Sequence, residues 1–310
     1  MLGRCDLSEA APRWDVVCLG EVVIDMVPIN AGWTYVARAG GAAANVATGL
    51  AERGHRVAML ARTGDDPFGD LLHKALEVND VSTELLQRDP DAATGLAIVA
   101  RADQTPPFVL YREETADTRV TIGSIDKESI RGARHLHLGS LLSTSSTGLE
   151  SVATAVAVAR DANLSVSADV NLRPSAWSST TVMVTRAREL IDVADVVKVT
   201  VDELEILGLG VDQLAMTDKL WLVTDGENGA SIVHGDRRLA MRPPRVDVVD
   251  TTGAGDASLA GLLNVILGGP SGPSSPLQDV DLSAALNAAV IAGARAVGRA
   301  GAMAKQPASI

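Results

Sequence analysis

Short apolar runs recur along the chain, separated by longer stretches whose apolar positions repeat every three to four residues. Asp15 to Val23, Arg56 to Ala61, His135 to Leu138, Leu164 to Ala168, Val193 to Val199 and Leu220 to Thr224 read as buried strands. Ala42 to Arg53, closed by Gly54, reads as a helix, as does Pro67 to Val78 with proline at its first position. Thr147 to Ala162, Ser179 to Ile191 and the alanine-rich Leu282 to Val297 follow the same period. Ala230 to Val233 with Leu239 to Met241 predicts an edge hairpin, and Val246 to Val249 a strand leading into a helix from Ala257. Strands alternating with helices predict an α/β fold of three α/β/α layers, with a mostly parallel sheet at its centre. Gly268 to Pro276 is rich in Gly, Pro and Ser and reads as a loop.

Two segments break the alternation. Trp33 to Ala39 stands where a crossover helix belongs, and Thr94 to Arg101 with Pro107 to Arg112 reads as two strands. Trp33, Tyr35, Phe108 and Tyr111 fall in these segments, in a chain with only 3% aromatic residues. They predict a small β lid, at about residues 32–40 and 94–118, outside the main sheet layer but within a single domain of residues 14–310. Residues 1–13 are expected to be a disordered tail, which contains acids and lacks the apolar core of a signal peptide.

Composition narrows the function. A net charge of −12 argues against nucleic acid and anionic membrane surfaces as partners. No run of eighteen apolar residues predicts a membrane span. Two cysteines, Cys5 and Cys18, predict no disulfide and a reducing, cytoplasmic setting.

The densest chemistry lies at Asp250-Thr251-Thr252-Gly253-Ala254-Gly255-Asp256, at a predicted helix start. Unpaired N–H groups there, with the positive end of the helix dipole, suit an anion, and glycines let a phosphate reach the backbone. Asp256, in the first turn, is placed to take a proton from a hydroxyl attacking a phosphoryl group. Asp25 is expected at the carboxyl end of a parallel strand, where α/β sheets bind ligands. Gly40 and Gly41 allow close backbone approach, and Asn45, one turn into a helix, offers donor and acceptor. The Walker lysine motif is absent, and a Rossmann fingerprint lacks its third glycine. His135 and His137, without a third clustered ligand, read as packing residues.

The string from Asp250 to Asp256 resembles the signature of the ribokinase-like (PfkB) carbohydrate kinases at every position. Gly20-Glu21-Val22-Val23-Ile24-Asp25 and Gly40-Gly41-Ala42-Ala43-Ala44-Asn45 are similar to that family's N-terminal motifs, and Gly64-Asp65-Asp66-Pro67-Phe68-Gly69 to its Gly-x-Asp-x-x-Gly segment. Asp169-Val170-Asn171-Leu172-Arg173-Pro174 resembles a motif of fructokinases and of 2-keto-3-deoxygluconate kinases. The resemblance implies a ribokinase-like fold and ATP-dependent phosphorylation of a small sugar. Gly253, Ala254 and Gly255 become the anion hole, Asp256 the base, and Asp25, Gly40, Gly41, Asn45, Arg112 and Arg173 the sugar site. Lys198, Thr200, Glu203, Thr224, Gly226, Gly229 and Asn287 become nucleotide-side residues, with Glu203 in a magnesium–phosphate network. Asp250 and Thr252, completed near Ala296 and Gly301, are implied to hold a monovalent cation, potassium over sodium. Dimerisation through the lid is common in the family.

Fructose is the expected sugar. Where fructokinases carry Arg-Asn-Pro-Ser-Ala-Asp this chain has Arg112-Glu113-Glu114-Thr115-Ala116-Asp117, and Thr105-Pro106-Pro107-Phe108 is similar to 5-dehydro-2-deoxygluconate kinases. Arg112 and Arg173 could grip a sugar acid, while Glu113 and Glu114 oppose one. Those two acids, ribose and nucleosides remain the alternative substrates. A regulator without catalysis would need a broken anion hole or a missing base.

Overall fold

The computed structural model describes residues 12–29, 33–99, 108–269 and 276–307. Cys5, Thr105 to Pro107 and most of the Gly268 to Pro276 loop lie outside them. Strands are β1 Trp14–Leu19, β2 Val23–Pro28, β3 Tyr35–Gly40, β4 Val57–Gly64, β5 Val81–Ser82, β6 Leu86–Asp89 and β7 Leu96–Val99. They continue as β8 Phe108–Tyr111, β9 Ala133–Gly139, β10 Ser165–Asp169, β11 Val196–Thr200, β12 Leu220–Thr224, β13 Ala230–His234 and β14 Arg237–Met241. Helices are α1 Ala42–Ala51, α2 Pro67–Val78, α3 Ser124–Arg131, α4 Ser146–Asp161, α5 Thr180–Val193, α6 Val201–Leu207, α7 Val211–Ala215, α8 Ala254–Ile266 and α9 Leu282–Ala296.

The main sheet runs β14-β13-β12-β11-β10-β9-β1-β4-β5, with β6 also paired to β4. It is parallel from β12 to β5, and β13 and β14 add an antiparallel edge hairpin. Alternation along β1 shows how one strand serves two layers. Val16 and Cys18 face the core shared with α1, α2, α8 and α9, while Val17 and Leu19 face the core shared with α4 and α5. The chain steps from β1 to β4 on one side and reaches β9 on the other, so the strand order reverses between β1 and β9. Ligands of doubly wound sheets bind at such a reversal, beyond the strands' carboxyl ends.

A second sheet, β3-β2-β7-β8, forms the lid. Its root is fixed by Asp66, which caps α2 through Gly69 N (2.8 Å) and also accepts from Thr94 N and Thr94 Oγ1 (2.8 Å each). The segment Gly64 to Gly69 thus ties lid to body.

Two expected strands differ. Asp15 to Val23 is broken: β1 ends at Leu19, and β2 starts at Val23 in the lid. Asp25 therefore lies within lid strand β2, opposite Arg38 of β3, and not at the end of a body strand. Val246 to Val249 forms no strand. Pro243 and Pro244 lack N–H donors, and the chain leaves the sheet beyond edge strand β14. That segment lies open, with Val248 64% and Val249 61% exposed. His135 and His137 are fully buried as expected, and they bond Ser165 (2.7 Å) and Ser167 (2.8 and 2.9 Å). Burial drops them to about 3 and about 4, so both are neutral.

Candidate active site

A cleft of about 1250 Å³ runs along the carboxyl edge of the sheet, between the lid and the start of α8. Gly253 caps α8 with φ of 76°, and a Cβ there would strike Ala302, so only glycine serves. Ala254 N–H is spent on Thr251 O at 3.3 Å. The N–H groups of Gly255 and Asp256 have no partner among the described residues and carry the positive end of the α8 dipole. The expected anion hole therefore offers these two free N–H groups, with Ala254 holding the turn.

Asp256 is buried, and its Oδ2 accepts a 2.7 Å hydrogen bond from Asn45 Nδ2 on α1. Burial, then the nearby Asp169 carboxylate, push Asp256 up to about 7; Lys198, Asn45 and Arg173 act in the opposite sense. Lys198 Nζ lies 3.0 Å from Asp169 Oδ1. Burial alone would lower Lys198, but Asp169, Glu203 and Asp256 outweigh it and keep the ammonium charged. A Cβ on Gly255 would come within 2.9 Å of Nζ, so the second glycine of the turn lets the ammonium reach the anion hole.

At the lid end, Asp25 presents part of its surface to the cleft, yet burial pushes it up to about 7 against the pull of Arg173. Gly40 does not line the cleft. A Cβ there would occupy the position of the Asp25 carboxylate, so Gly40 serves by letting Asp25 lie on the backbone. Gly41, with φ of 106°, passes 2.5 Å (measured from an added Cβ) from Glu21 O. Glu21 holds this turn by accepting from Ala42 N at 2.8 Å, and its other oxygen is buried without a partner at the β1–β9 reversal.

Arg112 is buried and paired with the fully buried Asp117, and its Nη2 donates to Leu141 O at 3.4 Å. Glu113 and Glu114 are exposed, and Glu114 pairs with Arg119 at 2.9 Å. The expected opposition from those two glutamates gives way to Asp117, five residues beyond Arg112 and brought back to it by an irregular loop. Arg173 borders the cleft near both Asp25 and Asp256.

On the opposite side, Lys198, Thr200, Glu203, Thr224, Gly226 and Gly229 all line the cleft. Glu203 Oε1 accepts from Leu172 N (2.6 Å) and Oε2 from Thr200 N (2.8 Å), closing a capping box on α6. Each oxygen keeps a lone pair that a hydrated magnesium ion could reach. Asn287 is exposed and does not line the cleft. The helix α9 borders it through Val290, Gly293 and Ala294, followed by Val297; Asn287 shares the face of Ala294 but sits two turns earlier along the helix, outside the lining. Pro243 to Val248 close this side as an open strap.

Behind the anion hole, Asp250 accepts from Thr252 N (2.9 Å) and Gly301 N (2.8 Å). Burial would raise its pKa, but these bonds and Arg38 hold it below the usual range, ionised. Asp250, Thr252 and Gly301 are thus brought together. Ala296 borders a separate small cavity with Gly253 and Ala302. Lid residue Arg38 packs on Gly301, near Asp250.

A family model described as pfkB family carbohydrate kinase matches residues 14–309. The chain belongs to the pfkB family of carbohydrate kinases. Fructokinase-1 of Oryza sativa subsp. japonica is 36% identical over 287 residues, covering 87% of this chain and 86% of that protein. Probable fructokinase-2 of Arabidopsis thaliana is 36% identical over 267 residues, 81% of each. A fructokinase from Vibrio cholerae O395, solved with fructose, ADP and calcium ion bound, is similar at TM-score 0.83 and 28% identity, covering 96% of both chains. The ribokinase-like α/β/α fold is therefore shown, and the protein is a sugar kinase.

Within this candidate site, sequence reading passed over Glu21, Arg38, Asp117 and Asp169. Glu21 and Asp169 stood inside the quoted motifs, and their type was the signal: buried carboxylates flanking a glycine-rich turn. Asp117 also closed a quoted string, Arg112 to Asp117, but attention there fell on the two glutamates; Arg38 carried no signal, since it acts from a lid strand on a residue far along the chain.

Proposed function

We propose that this sugar kinase transfers the γ-phosphoryl group of ATP to a hydroxyl of fructose, with Asp256 as general base. The observation that carries this reading is the start of α8. Two unpartnered N–H groups stand beside a buried carboxylate held by Asn45, in a cleft whose far end carries Asp25. The sugar hydroxyl gives its proton to Asp256 Oδ as its oxygen attacks the γ-phosphorus. The new O–P bond forms as the bond to the β-phosphate oxygen breaks, and ADP leaves with that electron pair. The Gly255 and Asp256 N–H groups and Lys198 receive the charge on the transferring group. Glu203 is the residue that would help hold a magnesium ion carried with the nucleotide, which would supply further charge neutralisation there. Asp25 and Asn45 take sugar hydroxyls, and Arg173 lies between sugar and phosphate. The valines of the 243–248 strap offer an apolar face to the base.

A neutral ketohexose is favoured over a sugar acid because Arg112, the natural carboxylate ligand, is already neutralised by buried Asp117. The deciding test is Asp256→Asn: turnover is expected to fall roughly 10²–10⁴-fold with ATP still bound, and near-normal turnover would remove the assignment.

Asp250, Thr252 and Gly301 are read as a monovalent-cation site, so rates should be higher in potassium than in sodium. Equal rates would instead leave Arg38 as the sole counter-charge of Asp250. Lid pairing into a dimer is supported by exposed Trp33 (83%) and Tyr111 (56%) beside the edge strands of the lid sheet. Light scattering should give twice the chain mass, and a strictly monomeric mass at high concentration would rule it out.

A further inference from the structure

Behind the anion hole lies a second cavity of about 210 Å³, roomy enough for several waters or one small oxyanion. It is bounded by the end of α1, the first turn of α8, the last turns of α9 and the loop that follows. Three guanidiniums line it, Arg53, Arg295 and Arg299, against one carboxylate, Glu52. In a chain of net charge −12 this concentration of positive charge stands apart from the bulk composition.

The arginines do not satisfy one another. Arg299 Nη1 pairs with Glu52 Oε1 at 3.2 Å and Nη2 donates to Ala302 O at 3.3 Å, but its Nε is buried without a partner. Arg53 donates through Nη1 to Gly49 O at 2.5 Å, and no carboxylate is bonded to it among the described residues. Arg295, exposed at the rim, has no hydrogen bond or ion pair among the described residues. Arg53 is held below the ordinary guanidinium range, first by burial and then by repulsion from Arg295 and Arg299, with Glu52 only partly offsetting them. With Glu52 matched to Arg299, about two positive charges stay uncompensated around one cavity.

The geometry points to a binding site for a phosphate dianion in this rear cavity, separate from the catalytic cleft. Forked guanidinium donors suit tetrahedral oxyanions, and a dianion matches the surplus charge. The volume also admits a small organic group on the phosphate, so inorganic phosphate and a sugar monophosphate are both candidate sources. Gly253 and Asn45 form wall in both cavities, so an anion here touches the reverse side of the residues that shape the anion hole and hold the base.

The test is calorimetry on the full chain at matched ionic strength in chloride, with inorganic phosphate and with a hexose monophosphate as titrants. It needs no turnover, so its outcome is independent of whether the fructose reading holds. Arg295→Gln changes an exposed side chain and Arg53→Gln a half-buried one. Each is expected to weaken phosphate binding roughly tenfold, the loss of one charge-assisted contact, with phosphate-free turnover unchanged. The tighter of the two titrants identifies the source. Absence of binding by both titrants at tens of millimolar, or equal affinity in wild type and both variants, would overturn the proposal; equal affinity would place the anion in the front cleft.

Discussion

At the scale of single residues, the proposed chemistry rests on Asp256 and Asn45. A carboxylate pushed up to about 7 is half protonated near neutral pH, and only its ionised form can accept the sugar proton. The value of kcat/KM should therefore rise with pH through about 7 and fall roughly tenfold per unit below it. Asp25, also near 7, steepens that limb if its ionised form binds sugar. A pH profile flat from 5 to 8 would contradict the assignment. Asn45→Ala removes a hydrogen bond that favours the ionised base, so the limb should move to higher pH as well as lower in height. The base and its glycine turn were legible in the sequence because seven consecutive residues carry the chemistry. The pairing of Asp117 with Arg112 and the reach of Arg38 were not, since these are set by the course of a loop and by a lid strand reaching over to Gly301.

Elements place those residues. The start of α8 works because Gly253 takes a left-handed turn and Gly255 leaves room for Lys198. Gly255→Ala should displace the ammonium and lower kcat by roughly tenfold or more with modest loss of stability, read by paired kinetics and thermal melting; unchanged kcat would remove Lys198 from the anion hole. Glu203 joins α6 to the Asn171–Leu172 turn by accepting from Leu172 N, and caps its own helix by accepting from Thr200 N. Glu203→Ala is expected to lower stability by about 2 kcal/mol, measured by denaturant unfolding, and to raise the KM for ATP. Periodicity found the body helices and most strands, since burial on one or both faces writes itself into the pattern. It misread Val246 to Val249 because alternating valines beside a cleft look like a strand in sequence. Two prolines and the end of the sheet decide otherwise.

The whole molecule brings three distant stretches, near residues 25–45, 169–203 and 250–256, to one edge of one sheet. The β–α alternation made that architecture readable, and the reversal between β1 and β9 fixed where the cleft must lie. Asp25 was misplaced because the break after Leu19, where the chain passes from body to lid, has no strong breaker in sequence beyond Gly20. Substrate choice also belongs to this scale, since it depends on the lid bringing Asp25 and Arg112 over a sugar seated against the body. A coupled kinase assay comparing kcat/KM for fructose, ribose, a nucleoside, 2-keto-3-deoxygluconate and 5-dehydro-2-deoxygluconate, under one set of conditions, is the most direct test. Fructose should be the best substrate. A tenfold preference for either acid, about 1.4 kcal/mol in transition-state binding, would contradict the account and make Arg112 a carboxylate ligand in spite of Asp117.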